Sequence, residues 1–84
     1  MSLDEKFAAA QERVKTLTTA PSNTDLLELY ALYKQASTGD VSGSRPGMFD
    51  LKGRAKYDAW AKKKGMTKDA AMQAYIDLVA KHAK

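Results

Sequence analysis

The fold is decided by the reading of residues 30–60, YALYKQASTGDVSGSRPGMFDLKGRAKYDAW. The stretch begins in an apolar helical pattern, loses it over residues 38–50 (TGDVSGSRPGMFD), and resumes as a second helical pattern. The break holds three glycines, one proline and two serines, and is longer than most connections in a small domain. A helix of about 16 residues is roughly 24 Å long, and a dozen extended residues reach about 40 Å. The connection can therefore return the chain along a whole helix. The helix after it is free to run parallel to the one before.

Outward from the break, the N-terminal side carries DLLELYALYKQA, apolar around most of its circumference. Such a helix needs contacts on more than one side. It is expected over residues 23–37, with Ser22 as cap and Asp25 at the positive end of the dipole. It reads as the central helix, with part of its surface kept for an apolar ligand. On the C-terminal side, Asp50 is placed to cap a helix over 51–64, ended by Gly65 in a left-handed conformation after Lys62, Lys63 and Lys64. Gly53 in its first turn costs about 1 kcal/mol relative to Ala. Further out, Ser2 and Glu5 form a capping-box pattern. Leu3, Phe7, Ala10, Val14 and Leu17 then predict a helix over 3–17, weakened at Thr18 and Thr19 and stopped by Pro21. Thr67 caps a last helix over 68–83, striped by Ala71, Tyr75, Leu78 and His82 and widened by Ile76 and Val79. Strand patterns and repeats are absent from the sequence. The fold class is all-α, as one small domain over 1–84.

The 84 residues carry 14 Lys and Arg against 10 Asp and Glu, a net charge of +4 that favours an anionic partner without choosing one. There is no cysteine, so no disulfide or thiolate chemistry. Charges through Met1–Ala20 break the apolar core a signal peptide needs, and no run approaches the roughly 18 apolar residues of a membrane span. Ser2 stands where myristoylation needs glycine. The expected address is the cytosol. His82 is the lone histidine and lies near the C-terminus, with no nucleophile, zinc or phosphate-loop motif to partner it. The chain reads as a binder without catalytic activity, with no metal or cofactor expected.

Tyr30, Tyr33 and Lys34 project within about one third of a turn of one another, and Lys52 and Lys56 share a stripe on the next helix. Rings beside amines, facing more amines across a gap, suit a phosphorylated aromatic ligand. Read alone, the tyrosines serve equally as core aromatics, although Lys34 is hard to bury unpaired. By the same reading Lys52 and Lys56 are ordinary solvated lysines, and Lys15 a helix-dipole partner. Tyr57 and Trp60 read as core, and Tyr75 as either.

The pattern YxxYKQA, then GDV, then RPGMxDxKGRAKYDAW resembles the acyl-CoA-binding protein family. The likeness extends through Phe7, Val14, Leu17 and Pro21 to the closing DAAMQAYIDLVAK. It implies an up-down-down-up four-helix bundle that binds fatty acyl-CoA one to one as a monomeric carrier. It assigns Tyr30, Lys34 and Lys56 to the 3′-phosphate of coenzyme A, and Tyr33 and Tyr75 to the adenine region. It gives Lys15 and Lys52 to the remaining phosphates or the thioester, and Leu26 and Leu27 to the acyl groove. Two positions depart from the family pattern. Tyr57 stands where tryptophan is usual, and Ala20 where lysine is common. Weaker binding at most is expected, with specificity unchanged.

Transient contact with acyl-CoA-using enzymes or a membrane surface fits that role. Two rival readings remain. A helical protein-interaction module would use the groove for a partner helix. A small basic nucleic-acid-binding domain is suggested by the pI near 9.4, but its basic residues are not gathered on one recognition helix and acids are mixed throughout.

Overall fold

The computed structural model describes residues 1–18 and 20–82, so Thr19, Ala83 and Lys84 lie outside it. Four helices form: α1 (Leu3–Val14), α2 (Asn23–Ser37), α3 (Leu51–Ala61) and α4 (Lys68–His82), with no strand among the described residues. Each starts on a side chain that accepts an otherwise unpaired amide. The Glu5 amide donates to Ser2 Oγ at 3.1 Å while the Ser2 amide donates back to Glu5 Oε1, also at 3.1 Å. The Asp25 amide donates to Ser22 Oγ at 3.2 Å, and the Gly53 amide to Asp50 Oδ1 at 3.0 Å. The Ala70 amide donates to Thr67 Oγ1 at 3.1 Å. These bonds satisfy donors that a helix start leaves without intrahelical acceptors.

Two helix ends fall short of the expected boundaries. Helix α1 stops at Val14 rather than Leu17, because Thr16 turns both its amide and its hydroxyl onto the Arg13 carbonyl, each at 2.9 Å. A hydroxyl bonded back to the chain competes with the helical ladder. The expectation at Thr19 lies outside the described residues. Helix α3 stops at Ala61 rather than Lys64. Lys63 and Lys64 wind into tighter turns, donating to Trp60 and Ala61 carbonyls at 2.9 and 3.2 Å. Gly65 does take a left-handed φ of 92°. Its amide is taken by Asp40 Oδ1 at 2.9 Å instead of a helical carbonyl. The last expected residue of α4, Ala83, lies outside the described residues.

The helices stand side by side in the order α1, α4, α2, α3, in a slab only 15 Å through its thinnest direction. Their directions follow from who meets whom. Phe7 packs edge-on to Tyr75, and one turn on, Ala10 lies by Val79, so α1 and α4 are parallel. His82 at the end of α4 bonds Asp25 at the start of α2 (2.7 Å), so α4 and α2 are antiparallel. Tyr30 meets Lys56 and, one turn on, Lys34 meets Trp60, so α2 and α3 are parallel. The result is the up-down-down-up bundle. Its core is Phe7 and Ala10 of α1, Leu29, Leu32 and Ala36 of α2, and Ala71, Tyr75 and Val79 of α4. Of the stripes expected from helical spacing in α1 and α4, Phe7, Ala10, Ala71, Tyr75 and Val79 are buried, while Leu3, Val14, Leu17, Ile76, Leu78 and His82 are only partly so.

One polar residue is sealed in with them. Gln35 is 1% exposed, and its Nε2 donates to Asp40 Oδ1 and to the Met66 carbonyl, both at 2.8 Å. The end of α2, the start of the long connection and the α3–α4 turn are thereby tied at one point. Bonds from the Gly65 amide first, and from Gln35, hold the Asp40 carboxyl below its ordinary value of 3.8. A carboxylate whose folded pKa is depressed adds stability that is present above its ordinary pKa and lost as pH falls through the lower, folded one. Glu5, bonded to the Ser2 amide, is depressed in the same sense. Gln35→Leu is expected to lower unfolding stability by about 2 kcal/mol in urea titrations, because the half-buried Met66 carbonyl and the Asp40 carboxylate both lose their Gln35 donor. In the wild type, the melting temperature should fall as pH drops below about 4, and Asp40→Asn should flatten part of that decline.

Candidate functional site

The seam between α2 and α3 is where two helices meet without closing. A groove of about 420 Å³ runs between them, lined by Asn23, Leu26, Leu27, Lys52, Ala55 and Lys56. Leu26, Leu27 and Ala55 make it apolar, and Ala55 does so by being small: a larger residue there would fill the space. Lys52 and Lys56, four residues apart on α3, form its charged edge as helical spacing requires. Across Leu27, a smaller recess of about 160 Å³ is lined by Thr24, Glu28, Ala59 and Lys62.

Further along the seam, the amines lie on aromatic faces. Lys56 Nζ is 5.4 Å from the Tyr30 ring centroid, and Lys34 Nζ is 4.8 Å from that of Trp60. Each is within cation–π range. Neither amine has a carboxylate partner among the described residues, whereas Lys63 pairs with Glu28 and Arg45 with Asp58. Two positive charges are thus held close to the seam and left unneutralised, which suits an anion of high charge density.

The third part is aromatic. Tyr33 is 40% exposed and stacks on Phe7 at 6.2 Å and 29°, while Phe7 meets Tyr75 edge-on at 5.1 Å and 83°. Tyr75 is buried, and desolvation, helped by Tyr33, raises its phenol pKa above the ordinary 10.0. Tyr33 presents an open ring, and Tyr75 supports it through Phe7. Lys15 stands apart from these groups. It is the exposed C-cap of α1, 3.4 Å from Glu12 on its own helix, and no bond or ion pair joins it to α2 or α3.

The long connection is fastened to α3 by side chains that the sequence reading left in the core or on the surface. Trp60 Nε1 donates to the Gly39 carbonyl at 2.8 Å and Tyr57 Oη to that of Gly43 at 3.0 Å. Arg45 grips Asp58 with two bonds, at 2.9 and 2.7 Å, holding the Asp58 carboxyl below its usual range. The phenol at position 57 therefore makes a bond of its own to the connection. Residues missed by sequence reasoning are Phe7 and Trp60 as supports for site residues, and Ala55 as floor. Only Ala55 left a signal, lying between the two site lysines with too small a side chain to fill the gap. Among the described residues no group of three His, Cys, Asp or Glu is placed to hold a metal ion, and no helix is long and apolar enough to cross a membrane.

An open apolar groove between two parallel helices, edged by unpaired amines, with the exposed ring of Tyr33 further along α2, defines a small helical bundle with a cleft for an amphipathic anion. Comparison with known proteins agrees. The sequence model of the family described as acyl CoA binding protein matches residues 4–79, and this chain belongs to that family. It is 53% identical to the acyl-CoA-binding protein homolog of Drosophila melanogaster over 85 residues, covering 96% of this chain and 99% of the relative. It is 58% identical to acyl-CoA-binding protein homolog 1 of Caenorhabditis elegans over 73 residues, 87% of this chain and 85% of that one. Among solved structures, acyl-CoA-binding protein 2 of Oryza sativa superposes with a TM-score of 0.92 at 47% identity, covering 96% of this chain and 90% of that chain.

Because the Tyr57 hydroxyl makes the bond to the Gly43 carbonyl, Tyr57→Phe removes that fastening and keeps the ring. Stability in urea titrations should drop by about 1 kcal/mol. An unchanged unfolding midpoint would show that Arg45 and Asp58 suffice.

Proposed function

We propose that this chain binds fatty acyl-CoA thioesters one to one and carries them as a soluble, buffered pool for acyl-consuming enzymes, in the cytosol. The observation that carries this reading is the continuity of the cleft. The apolar groove of Leu26, Leu27 and Ala55 leads directly to the amines of Lys52 and Lys56 on one helix. A ligand with a long hydrocarbon tail and a phosphorylated head matches that sequence of surfaces.

In this reading Lys34 and Lys56, with the Tyr30 hydroxyl, make charge-assisted bonds to the 3′-phosphate. Their ring platforms hold the amines near the phosphate without a competing acid. Tyr33 stacks on adenine, backed by Phe7 and Tyr75. Lys52, at the groove edge, serves the remaining phosphates or the thioester, and Lys15 joins them only by leaving Glu12. The acyl chain lies along Leu26 and Leu27. Each methylene buried contributes about 0.8 kcal/mol, so affinity climbs with chain length until the groove is full. The chain acts as binder rather than catalyst, and membership of the family disfavours both the peptide-docking and the nucleic-acid readings.

Isothermal titration of hexadecanoyl-CoA, with free coenzyme A and palmitate alongside, tests the two-part site. Tight 1:1 binding of the thioester is expected, with both fragments far weaker. Lys34→Met and Lys56→Met should each weaken thioester binding about tenfold or more, since each removes a charged hydrogen bond. Palmitate matching the thioester would sink the proposal.

A further inference from the structure

Large, highly exposed apolar side chains cluster where the connection ends and α3 begins, close in sequence to the groove-lining residues of α3. Phe49 is 95% exposed, Leu51 75% and Met48 67%. A single exposed apolar residue is ordinary, but three large ones within four positions form a patch that water disfavours. Their placement relates them to the groove. Leu51 stands one helical turn before Ala55 on the same stripe of α3, and Ala55 and Lys52 both line the groove.

The charges around the patch choose its occupant. Lys52 is exposed and has neither a hydrogen bond nor an ion pair among the described residues, and Lys56 follows it one turn on. Of the acids nearby in sequence, Asp58 is paired with Arg45, and Asp50, which accepts the Gly53 amide, keeps its charge but is outnumbered by Lys52, Arg54 and Lys56. The net charge is +4. A globular partner needs a broad, closely packed contact. Three apolar side chains in four consecutive residues, beside unpaired lysine, offer a narrow wedge suited to an interface of lipid headgroups and acyl chains.

We propose that Met48, Phe49 and Leu51 insert into the surface of an anionic phospholipid bilayer, with Lys52 meeting the lipid phosphates, and so bring the groove mouth against the membrane. The purpose of the contact rests on the acyl-CoA reading: a long chain would pass from bilayer to groove without crossing water. The contact itself does not rest on it, and is measured without ligand.

The test is flotation of the ligand-free protein with vesicles of phosphatidylcholine alone and of phosphatidylcholine with roughly one third phosphatidylserine. Binding is expected to the mixed vesicles and to weaken as salt is raised. Phe49→Ser should weaken it about tenfold or more and Met48→Ser several-fold, because each removes an inserted apolar side chain. Both side chains are exposed, so helicity by circular dichroism and hexadecanoyl-CoA affinity in solution should be unchanged, while extraction of hexadecanoyl-CoA from the vesicles slows. Failure of the wild type to bind the mixed vesicles would overturn the proposal. So would equal binding by Phe49→Ser, which would leave a protein as the occupant to seek. Vesicle binding without any acyl-CoA binding in calorimetry would strike the proposed function and leave the docking surface standing.

Discussion

Two parallel helices cannot be joined by a tight turn, and the molecule depends on how the returning segment, residues 38–50, is held. A connection of this length is costly to order, and it would leave the α2–α3 seam undefined if it were loose. It is anchored first by the buried Gln35 amide, which ties Asp40 to the α3–α4 turn through Met66 and Gly65. It is then fastened along α3 by Trp60 to Gly39, Tyr57 to Gly43 and Asp58 to Arg45. Tyr57 and Asp58 do this from a face of α3 that does not line the groove, and Trp60 from the seam side, where its ring also meets Lys34. The groove-lining face, with Lys52, Ala55 and Lys56, is left to the cleft. Holding the connection and presenting the site are two consequences of one helix.

The same economy governs the charges. Carboxylates are not scarce here, yet Lys34 and Lys56 lie on Trp60 and Tyr30 and not beside an acid. A salt bridge at those positions would have to break before an anion could bind, whereas a cation–π contact leaves the amine its full charge and most of its donors. Trp60 thereby acts twice, with its face under Lys34 and its ring N–H on the Gly39 carbonyl. The connection and the charge geometry are coupled through that one indole.

The architecture was legible in the sequence wherever local chemistry is strong. Caps at Ser2, Ser22, Asp50 and Thr67 could be read from residue type and spacing, and so could the reach of residues 38–50, long enough for a return along a whole helix; that α2 and α3 run parallel came from the family likeness. Helix ends were not. Leu17 keeps the apolar period, but period says nothing of where the Thr16 hydroxyl will bond, and that bond ends α1. Lys62 to Lys64 read as a helix finish until Asp40, far off in sequence, takes the Gly65 amide. Of the site, spacing paired Lys52 with Lys56 and family likeness added Leu26 and Leu27; the structure lines one groove with all four. The platforms under the amines and the phenol bond of Tyr57 are tertiary, and no pattern within one helix announces them. Lys15 was assigned by likeness alone, and its ion pair among the described residues is the exposed contact with Glu12 on its own helix.

Gly53 shows how local and global demands meet at the groove. In the first turn of α3 a glycine is unfavourable by propensity alone. Here a β-carbon at that position would stand 2.7 Å from Asp50 Cγ, inside the space taken by the capping carboxylate. The cap and the glycine are thus one device: the carboxylate can fold close over the Gly53 amide because nothing projects from it. That start makes the chain helical from Leu51, so that Lys52 in the first turn, and Ala55 and Lys56 one turn on, share the side of α3 that lines the groove with Leu26 and Leu27. The glycine that weakens the helix by propensity is therefore part of what starts it where the groove needs it.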